Sequence, residues 1–380
     1  MHLCDMLKIY LFFNIIKGHI KMNTDKKAPH NLSALPPDLS AIDVNTPEMV
    51  TLLIKTHSAL AELMGTCRAI NSPAVLLHIP LLQESIASSE IEGIYTTIET
   101  ALEEQVKHFS DQDPAAKEAL NYKSAITAGY ESLAKYSLST RTVLSVHEKL
   151  LPVGGGMFRT QQNHIAGGSQ IIYTPPAAQK IPDLISNWEN FAHNQIDFTD
   201  VLIKTAICHY QFEAIHPFTD GNGRTGRILI VLQLVLNKLL ELPILYISGY
   251  LNKNKDAYYR LLIGVTEFNR WNDFIKFIIT AIYEQAKITQ AVVMNIMAER
   301  EVLKNKMKIE VAGIYTPELL DHIFSYPVTY PTHMSEKLSI TYQTASKYLT
   351  ALERAGILSR KKSGRHTLYY NFGLLSCLKT

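Results

Sequence analysis

Apolar residues recur at intervals of three and four positions along most of the chain, which is the pattern of helices with one buried face. The first such stretch runs from Thr46 to Met64, and we expect it to end at Gly65. The same spacing predicts further helices over Thr97–Phe109, Ala115–Ala134, Thr140–Leu151, Ile181–Asn194, Asp200–Ile215 and Thr225–Leu240, and helices continue to about Lys308. The fold class is therefore predicted to be mainly α.

One segment interrupts the helical pattern. Residues 158–176 carry β-branched and aromatic residues on either side of Ala166–Ser169, and Pro175 and Pro176 follow. Two such runs joined by a short glycine-containing turn are typical of a β-hairpin. The sequence therefore predicts one hairpin within a helical core.

The C-terminal part has a different organisation, with short helices followed by strands. We predict helices over Pro317–Ser325, Thr332–Leu338 and Thr341–Ala355, and strands over Ile357–Arg360 and Thr367–Asn371. This order resembles a winged helix-turn-helix domain, in which one helix enters a DNA groove. The residues that would then face duplex DNA are Tyr342, Gln343, Ser346 and Lys347 on the third helix, and Lys361, Lys362 and Arg365 in the turn between the strands. The alternative is a module that only contacts proteins.

Charge is distributed unevenly along the chain. The 37 basic and 35 acidic residues give a net charge of +2, but residues 331–380 hold five Lys and three Arg against Glu336 and Glu353, which is +6. The remaining 330 residues therefore sum to −4. A basic segment of this kind favours an anionic partner for the C-terminal domain alone.

Composition excludes several classes of protein. A chain with 47% hydrophobic and 19% charged residues is neither disordered nor collagen-like. The four cysteines form no C-x-x-C pair, which argues against a disulfide scaffold or zinc ribbon and indicates a reducing, cytoplasmic location. The apolar run at residues 7–16 is too short to span a membrane, so no membrane partner is expected. We expect residues 1–35 to be a leader without fixed structure, with Met22 as the true start and residues 1–21 untranslated.

The densest chemistry lies in residues 216–227, HPFTDGNGRTGR. His216 follows a predicted helix that Pro217 cannot continue. Gly221 and Gly223 let the backbone turn tightly, and the first N–H groups of the next helix form an anion site. Arg224 and Arg227 are planar phosphate ligands, Asp220 suits Mg²⁺, and His216 is a titratable base beside them. The alternative is a helix turn with a surface histidine.

This stretch resembles the signature of Fic-domain proteins, H-x-F-x-[DE]-[GA]-N-G-R-x-x-R, at every defined position. Most members of that family transfer AMP from ATP to a hydroxyl of a target protein. The resemblance implies that His216 deprotonates a Ser, Thr or Tyr hydroxyl, which attacks the α-phosphate. It further implies an ATP site formed by Asp220, Gly221, Asn222, Gly223, Arg224, Thr225, Gly226 and Arg227, with Mg²⁺ on Asp220. Related Doc-type toxins transfer a phosphate instead, but their motif departs at the positions of Gly223 and Arg224.

An upstream segment, Ser88-x-x-x-Glu92-Gly93, resembles the inhibitory motif [ST]-x-x-x-E-[GN] of the same family. The resemblance implies that the Glu92 carboxylate pairs with Arg227 and thereby occupies the arginine meant for the γ-phosphate. Ser88 lies one helical turn earlier and would support Glu92. The alternative is a solvated helix carboxylate.

The resemblance also implies a role for two further features, the predicted hairpin and a pair of tyrosines. The predicted hairpin resembles the Fic flap, in which Ile165, Ala166, Gly167 and Gly168 would hold a segment of the target as an added strand; the alternative is an ordinary surface hairpin. Tyr258 and Tyr259 lie where similar proteins line the adenine pocket, although a tyrosine pair in a helix is also typical of a core.

These features predict a leader over 1–35, an N-terminal helical part with the inhibitory helix over 36–130, a Fic core over 131–300 and a winged-helix domain over 314–380. The leading hypothesis is an ATP-dependent protein adenylyltransferase inhibited by Glu92. The alternative hypothesis is a DNA-binding regulator whose Fic core senses nucleotide. Under either hypothesis, the protein could form a homodimer.

Overall fold

The computed structural model describes residues 26–38, 42–69, 73–106, 113–167, 170–193, 199–363 and 366–378. The predictions for residues 1–25, for Gly168 and for Arg365 lie outside these residues. Among the described residues, no helix combines the length and the hydropathy that crossing a bilayer requires.

The described chain is mainly helical, as predicted. The helices before the hairpin are α1 (Pro47–Arg68), α2 (Pro73–Ile91), α3 (Ile98–Gln105), α4 (Pro114–Tyr136) and α5 (Thr140–Leu150). The hairpin follows as β1 (Ile165–Gly167) and β2 (Gln170–Tyr173). The next helices are α6 (Ile181–His193), α7 (Val201–Ile215), α8 (Asn222–Leu236), α9 (Ile247–Lys253), α10 (Lys255–Phe268) and α11 (Trp271–Glu310). The C-terminal elements are α12 (Pro317–Ser325), β3 (Val328–Thr329), α13 (Pro331–Leu338), α14 (Tyr342–Arg354), β4 (Ser359–Ser363), β5 (His366–Tyr370) and α15 (Phe372–Ser376).

The chain divides into two compact units that are built from non-consecutive segments. The first unit comprises the residues up to His57, Ser124–Leu240 and Tyr250–Tyr283. The second comprises Ser58–Lys123, Glu241–Gly249 and the residues from Glu284 onward. The consecutive domain boundaries inferred from the sequence stay predictions.

Two nearly fully buried helices, α7 and α8, form the centre of the first unit. Along α7 every residue from Leu202 to Phe212 is buried, and along α8 every residue from Arg224 to Leu234 is buried. A helix that is buried on all sides is a central one. The hairpin pairs β1 with β2 in antiparallel register, Ile165 opposite Tyr173, with an irregularity between Ile165 and Ala166.

The second unit joins α2 and α3 to the C-terminal elements. Its sheet has the order β3-β5-β4, with antiparallel pairing throughout. Its core cluster contains Leu82 of α2 and Leu102 of α3 together with Leu320 and Phe324 of α12. Gln83 Nε2 donates to the carbonyl of Leu378 at 3.2 Å, so α2 also contacts the end of the chain.

Several predicted boundaries are wrong, among them those of the strand expected over Ile357–Arg360, which is β4 at Ser359–Ser363. Gly65 does not end α1, which continues to Arg68, because a helix interior tolerates glycine at a cost of about 1 kcal/mol. The helix after the signature begins at Asn222 instead of Thr225, because the left-handed Gly221 is its N-cap, and it ends at Leu236 instead of Leu240. The short elements β3 and α15 carry no periodic pattern long enough to predict them.

Candidate active site

The turn between α7 and α8 begins with a histidine in an unusual conformation. His216 is the C-cap of α7 and has φ 49° and ψ 60°, in the left-handed region. Its backbone N–H still donates to the carbonyl of Phe212 at 3.1 Å. Left-handed backbone costs a residue with a Cβ about 1–2 kcal/mol, and glycine or asparagine usually occupies this position. A histidine held there at that cost points to a need for its side chain.

The conformation of the turn is maintained by the side chain of Asn222. Its Oδ1 accepts from the N–H of Phe218 at 2.8 Å, and its Nδ2 donates to the carbonyl of the same residue at 2.8 Å. Phe218 is fully buried. The amide of Asn222 thus closes the turn, and its predicted role of holding the α-phosphate stays a prediction.

The N-terminus of α8 has the features of an anion site. Gly221, at the N-cap with φ 74°, has no side chain to accept from the first N–H groups of the helix. Arg224 and Arg227 follow in the first two turns and are only 2% and 1% exposed. The Thr225 hydroxyl is also buried, and it has no hydrogen-bond partner within the described part of the chain. Positive charge and N–H donors therefore concentrate where a phosphate chain would lie.

Asp220 is the acidic group of the turn. Its side chain is 72% exposed, its Oδ1 accepts from the N–H of Gly221 at 2.6 Å, and its Oδ2 lies 3.4 Å from Nη2 of Arg224. The described residues hold no group of three or more His, Cys, Asp and Glu side chains able to bind a metal ion. A single carboxylate suits Mg²⁺ when phosphate oxygens supply the other ligands, and the donor set therefore fits a nucleotide-bound Mg²⁺.

A second histidine, His147 of α5, contacts the turn between α7 and α8 from another helix. Its Nδ1 accepts from the N–H of Gly156 at 3.0 Å, so its Nε2 carries the hydrogen and donates to the carbonyl of Asp220 at 3.0 Å. Its ring stacks on that of Phe218 with centroids 3.6 Å apart. Burial lowers the pKa of His147, which favours this neutral form.

Comparison with known proteins agrees with this geometry. The Fic/DOC family model matches residues 137–234, the model for the N-terminal part of the same family matches residues 50–131, and the model of the C-terminal domain described as protein adenylyltransferase SoFic-like matches residues 279–374. The chain therefore carries domains of the Fic/DOC family, followed by a SoFic-like C-terminal domain.

Individual relatives match parts of the chain. A probable protein adenylyltransferase of Aquifex aeolicus is 30% identical over 200 residues, which is 50% of this chain and 58% of the relative. Protein adenylyltransferase Fic of Aedes aegypti is 32% identical over 98 residues, which is 24% of this chain and 19% of the relative. The chain thus spans between a fifth and three fifths of the length of these relatives.

Among solved structures, a Fic family protein from Desulfovibrio desulfuricans G20 superimposes with a TM-score of 0.54 at 20% identity, covering 86% of this chain and 96% of that one. A variant of Fic-1 from C. elegans gives a TM-score of 0.50 at 18% identity, covering 64% of this chain and 73% of that one. At this level of identity the likeness confirms the Fic fold alone.

The hairpin that resembles the Fic flap is joined to the turn by hydrogen bonds. Asn163 Nδ2, just before β1, donates to the carbonyl of Phe218 at 3.2 Å. The Tyr173 hydroxyl, at the end of β2, donates to the carbonyl of Ala214 at 2.8 Å. Ile165 and Gly167 are half-buried and Ala166 is exposed. Target docking by these residues stays a prediction.

The two tyrosines assigned to the adenine pocket lie in different environments. Tyr258 is 1% exposed, and its hydroxyl lies 2.7 Å from Nε2 of His209, which is also buried. Its ring also packs against Phe277. Tyr259 is half-buried. Tyr258 therefore has the surroundings of a core residue, and contact of either ring with adenine stays a prediction.

The residues of the inhibitory motif lie at the end of α2. Ser88 is fully buried within the helix, and Glu92 is exposed just after it. Gly93 has φ 85° and donates its N–H to the carbonyl of Glu90, while the N–H of Ile94 donates to the carbonyl of Ser89. These bonds form a Schellman ending, which requires a left-handed residue and explains the glycine of the motif.

In the C-terminal domain, one of the predicted DNA contacts has another partner. Nζ of Lys361 lies 3.3 Å from Oε1 of Glu103 in α3, and the Tyr370 hydroxyl donates to the same oxygen at 2.6 Å. Lys362 is exposed. The DNA contacts stay predictions.

Sequence reasoning missed two residues around the turn, His147 and Arg159. Both are buried and both hydrogen-bond to backbone carbonyls of the turn. A buried position of Arg159 could have been suspected from its place between Phe158 and the hairpin, but no spacing within the chain identifies the carbonyls that these side chains contact.

Proposed function

We propose that this protein is an adenylyltransferase that transfers AMP from ATP to a Ser, Thr or Tyr hydroxyl of a target protein. The observation that carries the proposal is the turn itself, which joins His216 to the N-terminus of α8 and its two buried arginines within one segment of the first unit. The names of the relatives support the same activity.

In this proposal His216 accepts the proton of the target hydroxyl as its oxygen attacks the α-phosphate and pyrophosphate leaves. The N–H groups at the start of α8 and the guanidinium groups of Arg224 and Arg227 neutralise the phosphates, which is the main catalytic contribution in reactions of this type. Asp220 would hold Mg²⁺, which would add charge neutralisation at the phosphate chain when bound.

Position-labelled ATP tests the reaction. Label on the α-phosphate should appear on protein and label on the γ-phosphate should not, whereas a phosphate-transferring enzyme of the Doc type would give the reverse. A control is Asp220→Asn, which should raise the Mg²⁺ concentration needed for transfer, because it removes the carboxylate but leaves the turn intact. Label transfer from neither position, in the unmodified chain and in Glu92→Gly alike, would contradict the proposal.

We further propose that Glu92 inhibits the enzyme by pairing with Arg227. Glu92 carries its negative charge at the C-terminus of α2, where the helix dipole disfavours a carboxylate by about 0.3–1 kcal/mol. Pairing with a guanidinium therefore stabilises a carboxylate in that position more than it stabilises a carboxylate elsewhere on a helix. The Schellman ending at Gly93 fixes where the chain carrying Glu92 leaves the helix.

A set of glutamate variants tests this inhibition. Glu92→Gly and the isosteric Glu92→Gln should both raise automodification several-fold and strengthen productive ATP binding. The matched control is Glu99→Gln, a glutamate in the first turn of α3, where the dipole favours its charge. The gain should vanish when Arg227→Ala is added to Glu92→Gly. If both Glu92 variants have unchanged activity, the Ser88–Gly93 motif does not inhibit the enzyme.

A second candidate function is DNA binding by the C-terminal domain. A groove of about 950 Å³ is lined by Tyr342, Gln343, Ser346 and Lys347, the face that the sequence assigned to DNA, together with Arg354 and Glu310. Hydroxyl and amide groups beside cations are the donors that bind base edges and phosphates. The regulator hypothesis requires this binding, whereas the enzyme does not.

The salt dependence of DNA binding tests this candidate. Affinity for duplex DNA should fall with salt with a log–log slope near −3 for about three phosphate contacts. Replacing Lys361, Lys362 and Arg365 together should flatten the slope, whereas the surface variant Lys255→Ala should not. A flat salt response of the unmodified chain would indicate that the C-terminal domain only contacts proteins.

Two further predictions have their own tests. Light scattering on the same samples tests whether the chain forms a homodimer. Fractionation of cells tests the cytoplasmic location.

A further inference from the structure

The carbonyl groups of the signature histidine and of the residue after it are bound by one buried residue of the first unit. Arg159 is 5% exposed, and its Nε donates to the carbonyl of His216 at 2.9 Å. Its backbone N–H donates to the carbonyl of Pro217, also at 2.9 Å. These two bonds fix the orientation of consecutive peptide groups, and therefore support the left-handed conformation that His216 adopts.

The remaining donors of the same guanidinium bind the chain around the hairpin. Nη1 of Arg159 donates to the carbonyl of Gln161 at 3.0 Å, and Nη2 donates to the carbonyl of Pro176 at 2.5 Å. Gln161 precedes β1 and Pro176 follows β2. One planar group thus connects the backbone of His216 to both ends of the hairpin.

Only an arginine can make this set of bonds. The acceptors are three carbonyl groups from separate points of the chain, and the guanidinium presents its N–H groups in a fixed planar fork that matches them. Burial lowers the pKa of Arg159, so holding the cation here carries a cost that these bonds offset. A lysine ammonium is a compact charge and cannot span the three carbonyls.

We propose that Arg159 is a positioning residue that sets the backbone of His216 and holds it at a constant place relative to the hairpin. A target strand added to the hairpin would then present its hydroxyl at a fixed distance from the imidazole. Arg159 touches neither ATP nor the target, and acts through His216. This inference rests on the proposed function of His216 as the base.

The test compares Arg159→Lys with Arg159→Met in the full-length chain. Small misplacement of a catalytic group is enough to lower a rate about 100-fold. We therefore expect kcat for AMP transfer to fall about 10- to 100-fold in Arg159→Met, with partial recovery in Arg159→Lys. The KM for ATP should stay within about twofold, because the phosphate site lies at α8 and does not include Arg159.

A matched control separates positioning from loss of stability. Trp188→Phe removes one buried hydrogen bond of the same unit, from Nε1 to the carbonyl of Cys208, which is not part of the turn. It should lower Tm without changing kcat. Hydrogen exchange adds a readout that does not need activity, since the peptides covering 165–173 and 213–218 should both exchange faster in the Arg159 variants.

Three results would overturn the inference. They are an unchanged kcat in both Arg159 variants, a loss that appears equally in Trp188→Phe, and faster exchange in only one of the two peptides. Inactivity of both the unmodified chain and Glu92→Gly would instead contradict the proposed function, and the exchange measurement would still decide whether Arg159 couples the hairpin to His216.

Discussion

Among the helices of this protein that end in a left-handed residue, α2 and α7 do so differently. At the end of α2 the residue is Gly93, with φ 85°, and nothing lies within 4 Å of the place where a Cβ would be. At the end of α7 the residue is His216, with φ 49°. Glycine adopts this backbone without strain and histidine does not. At position 93 the left-handed backbone favours glycine. At position 216 the imidazole side chain is needed, and contacts from surrounding residues hold the backbone in the strained conformation.

The same comparison explains the surroundings of each turn. The ending at Gly93 is made by backbone bonds from residues next to it in the chain. The turn at His216 is held by side chains from other elements, namely His147, Arg159 and Asn163, each bound to a carbonyl of the turn. A strained conformation persists when its surroundings over-determine it.

The largest effect should come from exchanging the histidine for the residue that the backbone prefers. His216→Gly and His216→Ala should both lower AMP transfer about 10²- to 10⁴-fold, the usual contribution of a general base, with ATP affinity nearly unchanged. His216→Gly should also be up to about 1 kcal/mol more stable than His216→Ala, because it relieves the left-handed strain. Labelled-ATP transfer and urea unfolding measure the two effects. A wild-type rate in either variant would remove His216 from the role of base.

A smaller effect is expected at Gly226, the third glycine of residues 216–227, where space and not φ is limiting. A Cβ at Gly226 would lie 2.1 Å from Oε1 of Glu213 and 3.2 Å from Cδ1 of Phe212. Gly226→Ala should therefore cost about 1–3 kcal/mol in the free energy of unfolding and weaken ATP binding. The control is Gly65→Ala, where nothing lies within 4 Å and the helix should gain up to about 1 kcal/mol. Equal responses at the two sites would contradict the packing explanation.

The third prediction concerns the turn that glycine makes without strain. Gly93→Ala should cost about 1–2 kcal/mol through its backbone alone, since no atom is close. Gly93→Asn should cost less, because asparagine tolerates this conformation. Both should raise automodification by displacing Glu92. Thermal unfolding and the labelling assay measure this pair, and identical costs for Ala and Asn would show that φ is not the cause.

The smallest effect is a pH dependence at His147. Because burial lowers its pKa in the folded state, its contribution to stability is present above the unfolded pKa of about 6.5 and is lost as pH falls. At pH 5.5 this loss is at most about 1.4 kcal/mol. His147→Gln should remove that part of the pH dependence of the free energy of unfolding between pH 7 and 5.5. The prediction is wrong if the free energy of unfolding of His147→Gln falls between pH 7 and 5.5 as much as that of the unmodified chain.

Local patterns predicted the helices and the hairpin well, because both depend on neighbours within a few residues. The helix at Pro317–Ser325 has the predicted bounds, and Thr140–Leu150 differs by one residue. The signature was likewise readable, since its histidine, aspartate, glycines and arginines lie within twelve residues of one another. Its functional meaning came from the resemblance to the Fic family, which the family models support.

The sequence by itself thus determined the resemblance to the Fic family, the mainly helical class and the residues of the signature. Only the tertiary structure decided that Asn222 closes the turn, that Tyr258 lies in a core, and that Lys361 pairs with Glu103, 258 positions away. It also decided that Arg159 and His147 hold the turn, at separations of 57 and 73 positions. The physical reason is that helix periodicity and turn chemistry act over a few residues, whereas a side chain that donates to a distant carbonyl leaves no pattern in the sequence around it.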